Sequence, residues 1–157
     1  MSTRSIITFK DSDYMVQAYK HWDGYPETTV TELQEFLKWN GFRNDDLSYT
    51  MANFVYWYKN KYSEYDKEPS LNDHAHTGIG ILPRQSVNAK EAYDEYSAEF
   101  FYIVDLTEMR IYEENTGLFW ELGEIPESDE KLNGHRYMGY KVEEFVYEQR
   151  HPIVTTQ

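Results

Sequence analysis

Residues 98–106 read AEFFYIVDL. Apolar side chains fall on both sides of the pleat along this run, the pattern of a strand covered above and below. It is expected at the centre of a sheet. Residues 5–10 (SIITFK) are apolar and β-branched, and 14–22 (YMVQAYKHW) form a second strand-like run. The cluster Asp11-Ser12-Asp13 between them is turn chemistry, so the two runs predict an N-terminal hairpin. It closes at Asp23-Gly24-Tyr25-Pro26, because Asp-Gly turns the chain and Pro26 cannot donate to a ladder.

Helical spacing follows. Val30, Leu33, Phe36 and Leu37 share one face, and Thr29 with Glu32, or Thr31 with Gln34, fits a capping box. Gly41 stands where a glycine ends a helix, and Asp45 or Asp46 can cap the next one. In that second helix Leu47, Met51, Phe54, Val55, Tyr58 and Tyr62 make the clearest apolar stripe in the chain. Residues 63–73 are polar and contain Pro69, a loop pattern. Residues 76–82 (HTGIGIL) predict a short strand in which Gly78 and Gly80 admit a close neighbour. A loop is expected over 83–92, then strands at 109–113 and 118–122 around Asn115-Thr116-Gly117. Residues 123–134 are acidic and loop-like; 137–147 fit a strand or a short helix. The predicted order ββααββββ gives an α+β fold, a mainly antiparallel sheet with a helix pair packed on one face. The length of 157 residues suits a single domain.

Composition narrows the function. Aromatic residues make up 17% of the chain (15 Tyr, 8 Phe, 4 Trp), which excludes disorder throughout. The absence of cysteine removes disulfides, zinc–thiolate sites, iron–sulfur clusters and thiol nucleophiles together. The first ten residues have no apolar core of the signal-peptide kind, and no run approaches 18 apolar residues, so a cytoplasmic protein off the membrane is expected. The net charge of −13 divides as −3 for residues 1–50, +1 for 51–90 and −11 for 91–150. This field disfavours nucleic acid and anionic lipid and favours basic partners. Gly78-Ile79-Gly80 begins like a dinucleotide loop, but Pro83 follows and no helix does; no P-loop or G-x-S-x-G is present.

The stretches Thr3-Arg4-Ser5-Ile6-Ile7 and His21-Trp22-Asp23-Gly24-Tyr25-Pro26 resemble an uncharacterised family of small proteins found in phage, bacterial and archaeal genomes. Arg43-Asn44-Asp45-Asp46 and His76-Thr77-Gly78 also look like features of that family. The resemblance covers the first half of the chain and the 96–106 strand. It implies a phage- or mobile-element-type accessory protein and carries no chemistry with it.

Four groups of residues are candidates for function. The acidic run Glu121, Glu124, Glu127, Asp129 and Glu130 suits a basic partner, or is a solvated loop. Tyr56 and Trp57 lie off the buried stripe of their helix, so they either pack on the sheet or meet a partner. Arg4, His21 and Asp23 meet at the hairpin corner, as an anion-binding or acid/base site or as a turn locked by Asp23, Gly24 and Pro26. His74 and His76, at i and i+2, face one side of a strand and fit a metal only with a third ligand, such as Asp73 or His21. No metal or cofactor is expected. Two functions follow. One is a non-enzymatic acidic interaction protein, an inhibitor that occupies a basic site on a host protein. The other is a nucleotide-like small-ligand binder or hydrolase using Arg4, His21, Asp23, His74 and His76.

Overall fold

The computed structural model describes residues 3–63, 78–124 and Tyr147. In chain order they form β1 (Ser5–Lys10), β2 (Met15–Lys20), α1 (Pro26–Asn40), a 3-10 turn (Gly41–Asp45), α2 (Leu47–Lys61), β3 (Ile79–Ile81), α3 (Ala89–Tyr96), β4 (Phe100–Asp105), β5 (Arg110–Glu113) and β6 (Leu118–Glu121). The six strands make one sheet in the order β3-β2-β1-β4-β5-β6. β1 and β2 are the expected hairpin, with Asp11 Oδ1 accepting the N–H groups of Asp13 and Tyr14 at its turn.

The α+β class holds, with two corrections. The sheet is mixed, because β1 runs parallel to β4 while the other neighbouring pairs are antiparallel. A third helix, α3, occupies part of the stretch expected to be a loop. It has only Ala89 and Ala92 buried, so no large apolar stripe marks it in the sequence, although Asn88 caps it through the Glu91 N–H at 2.9 Å. α3 feeds β4 into the sheet beside β1, and a parallel neighbour needs such a crossover. Both faces of the sheet are therefore covered in their middle. α1 and α2 pack on one face against Ile7, Phe9, Phe100 and Tyr102. Ala89 and Ala92 pack on the other against Ile6, Phe101 and Ile103. Every residue of β4 is buried, as its double-sided apolar pattern requires.

α1 starts four residues earlier than the first capping-box pattern suggests. Pro26 opens it, where its missing N–H costs nothing, and Tyr25 caps it without a side-chain hydrogen bond. Thr29 and Thr31 thus lie inside the helix, and the Thr31 hydroxyl donates to Glu27 O. Gly41 ends α1 at φ +60°, and Asp46 caps α2 by accepting from the Tyr49 N–H. Phe9, Phe36 and Phe54 meet at the centre of the larger core, with ring centroids 5.1–5.9 Å apart. Each such pair contributes about 0.5–1.5 kcal/mol beyond its buried area.

Candidate functional site

The helix pair decides which aromatic residues are available. On α2 the stripe Met51, Phe54 and Tyr58 turns into the core, which turns Tyr49 and Tyr56, seven residues apart, outward together. Tyr56 is 62% exposed and Tyr49 56%. Tyr56 stacks on Trp39 of α1, itself 54% exposed, with centroids 6.4 Å apart and planes 30° from parallel. Phe42 in the connecting turn is 84% exposed, and the Arg43 guanidinium lies 5.6 Å from its ring and 5.1 Å from that of Tyr49. Four large aromatic side chains therefore stand outward on the α1–turn–α2 hairpin. Trp57 does not join them. It is half-buried against Phe36 and Phe54, and the Lys61 ammonium covers its ring at 5.1 Å. Of the two aromatic candidates, Tyr56 is presented and Trp57 is packed.

The acidic candidates divide as well. Glu121 and Glu124 lie on and just after β6, both exposed. Glu121 pairs with Arg110 at 2.7 Å. Gln34 of α1 latches this turn: its amide donates to Glu121 O (3.0 Å) and Glu124 O (3.1 Å) and accepts from the Gly123 N–H (3.0 Å). Glu127, Asp129 and Glu130 lie outside the described residues, as do His74 and His76.

At the hairpin corner Arg4 and Asp23 do not form an ion pair. The Asp23 side chain is exposed, and its contribution is made by the backbone: at φ +51° its carbonyl accepts from the Lys20 ammonium (2.9 Å) and the Thr29 hydroxyl (3.0 Å). Gly24 secures the turn through its N–H to Thr3 O (2.9 Å) and its carbonyl to the Tyr102 hydroxyl (2.5 Å). A Cβ at Gly24 would sit 2.8 Å from Thr3 O, so the chain needs glycine there. His21 lies on the other side of the sheet end, its Nδ1 2.6 Å from the Tyr19 hydroxyl.

Two buried polar centres escape the sequence reading. Lys20 donates to Glu32 Oε1 (3.0 Å), Thr29 Oγ1 (3.0 Å) and Asp23 O, filling its three donor positions, while the Tyr62 hydroxyl donates to Glu32 Oε2. Burial pulls the Lys20 ammonium below its ordinary range, opposed by Glu32, and pushes the Tyr62 hydroxyl above its own. Glu113 at the end of β5 accepts the N–H groups of Phe101 (2.8 Å), Asn115 (2.9 Å) and Thr116 (2.6 Å). Burial pushes its carboxyl up to about 7, with those three N–H groups pulling the other way. Both centres are enclosed by the fold and bind main chain, so they organise structure.

Among the described residues no group of three or more His, Asp or Glu is placed to hold a metal ion. None of their helices is long and apolar enough to cross a membrane. No protein-family model, curated protein or solved structure matches this chain.

Proposed function

We propose that this chain is a non-catalytic interaction protein that docks a basic partner on the outer face of the α1–α2 hairpin. The observation that carries the reading is the outward set of Trp39, Phe42, Tyr49 and Tyr56, two pairs bound by stacking and by Arg43. Aromatic rings of this kind are what interface centres are enriched in, and soluble surfaces seldom group them without a partner. The steering field comes from the acidic last third. Its turn at Glu121 and Glu124 is fixed to α1 by Gln34, which lies about 7.5 Å along the helix axis and about 140° around it from Trp39, so the carboxylates flank the aromatic set. An aromatic centre with carboxylates at one edge complements a basic surface with an apolar hollow. The Arg43 and Lys61 cations on the same hairpin are held by aromatic faces, and Lys61 is also paired with Glu35 at 2.9 Å. On this reading the protein occupies a basic site on a host protein, the accessory role that the N-terminal resemblance implies.

Site-specific photo-crosslinking tests it. A crosslinking residue in place of Tyr56 is expected to trap a basic protein from host lysate. The same residue in place of Lys90, on α3 across the sheet, is expected to trap none. Equal yields from both positions, or none from position 56, would remove the reading.

A further inference from the structure

The end of the sheet beside the start of α1 holds a row of polar residues. The ladders pair Ser5 with Lys20 on one side and with Phe100 on the other. One step back along the chain, Arg4 stands between His21 and Glu99, and the Glu99 N–H donates to Arg4 O at 2.9 Å. Alternation carried one residue past β1 and β2 sets Arg4 on the side of Ile6 and His21 on that of Tyr19, both facing the α3 layer, while Glu99 lies in the bend that leads into β4. Arg4 makes no ion pair among the described residues, although the chain carries a net charge of −13. Its Nε is buried and has no hydrogen-bond partner. Buried guanidinium nitrogens are normally satisfied, and an orphaned one asks for an acceptor.

Beside this row lies a cavity of about 270 Å³ lined by Tyr19, Gly80, Ile81, Leu82, Pro83 and Tyr96. Its wall is mostly apolar. The Tyr19 and Tyr96 ring centroids stand 6.2 Å apart, and a Cβ added at Gly80 would meet nothing within 4 Å. Tyr19 joins the two halves. Its ring lines the cavity, its hydroxyl lies 2.6 Å from His21 Nδ1, and the Arg4 charge acts on that hydroxyl.

We infer that this end of the sheet binds a small organic oxyanion carried on a flat ring. The ring lies against Tyr19 and Tyr96 over Gly80, and the oxyanion sits between the Arg4 guanidinium and the Tyr19–His21 pair. An arginine fork matches carboxylate and phosphate oxygens, and aromatic side chains stack on flat rings through the π-face that such rings share. Glu99 is the one carboxylate of the row, so the oxyanion is set toward His21 rather than toward β4. A nucleoside monophosphate and an aromatic carboxylate share this chemistry. The inference is independent of the docking face on the helical hairpin, which lies against the other side of the sheet.

Amide-resolved NMR titration with adenosine monophosphate, indole-3-acetate, adenosine and inorganic phosphate, each to about 1 mM, tests it. At least one of the two ring-bearing anions is expected to shift the amides of Arg4, Tyr19, Gly80 and Tyr96, and to bind at least about tenfold tighter than adenosine. Adenosine monophosphate alone would mark a nucleotide site, and indole-3-acetate alone a carboxylate site. Arg4→Gln is expected to lose at least about tenfold in affinity. Gly80→Val, which fills open space on a strand, is expected to lose binding with Arg4 in place, and Trp39→Ala to bind as the unaltered protein does. Any of three results would overturn the inference: neither ring-bearing anion shifts these amides, inorganic phosphate binds as well as they do, or folded Arg4→Gln and Gly80→Val bind undiminished.

Discussion

Lys20 of β2 and Glu32 of α1 form an ion pair at 3.0 Å, with side-chain exposures of 0% and 6%. The pair fixes α1 on the sheet, and because Glu32 also receives the Tyr62 hydroxyl, it fixes the end of α2 with it. Desolvating two charges is costly, and the compensation here is a filled set of hydrogen bonds. Removing one partner leaves the other charge buried alone. Lys20→Met or Glu32→Leu singly is expected to cost about 3–5 kcal/mol, while the double variant recovers most of that loss. Denaturant unfolding of the three variants measures it. Single variants as stable as the unaltered chain would show that the pair does not hold the helices.

Glu113 gives a pH dependence with a definite sign. Its carboxyl titrates at about 7 in the folded chain against an ordinary value of 4.5. Between those values the folded state binds the proton more tightly than the unfolded state. The stability contributed by this group is thus complete below about pH 4.5 and declines as pH rises through about 7, by on the order of 3 kcal/mol. Glu113→Gln is expected to flatten that decline, because the amide cannot ionise. Unfolding free energies at pH 5 and pH 8 for both proteins decide it; a decline that persists in the Gln variant would assign it elsewhere.

Gly78 holds the chain before β3 at φ +68°, and a Cβ there would stand 2.7 Å from the Trp22 ring. Gly117 has φ +73° and open space around it. Alanine at either position strains the backbone, but only at Gly78 must a ring also move. Gly78→Ala is expected to cost about 2–3 kcal/mol and Gly117→Ala about 1 kcal/mol. Thermal melting of the two variants orders them; a larger loss at Gly117 would contradict the packing of Trp22 on Gly78.

The elements legible in the sequence are those written in local periodicity. The hairpin, α2 and the fully buried β4 each carry their pattern within a few turns or a few pleats. The β1–β4 parallel pairing joins residues about 95 positions apart, and no local spacing encodes it. α3 buries only alanines and lacks a stripe to read. The aromatic face was half legible. Tyr56 falls off the α2 stripe, and the same subtraction marks Tyr49, and Trp39 against Val30, Leu33, Phe36 and Leu37, as outward; Phe42 lies in the connecting turn, where no helical stripe identifies it. The Lys20–Glu32 pair stayed hidden because a charged residue in a strand reads as an outward one until a helix covers it.

The outward position of Trp39 and Tyr56 makes them separable from folding. Trp39→Ala with Tyr56→Ala is expected to change stability by no more than about 0.5 kcal/mol per site, since neither ring belongs to the buried clusters. Urea unfolding checks this, and a cooperative loss of several kcal/mol would place the pair in the core instead.

The docking account rests most directly on one measurement, the retention of a basic host protein by the immobilised chain and by the Trp39→Ala/Tyr56→Ala variant at about 0.1 M and about 1 M salt, where the screening length falls from about 10 Å to about 3 Å. A partner held by the unaltered chain at low salt, weakened at high salt and lost from the folded double variant is expected. A partner retained equally by the variant, or indifferent to salt, would contradict it.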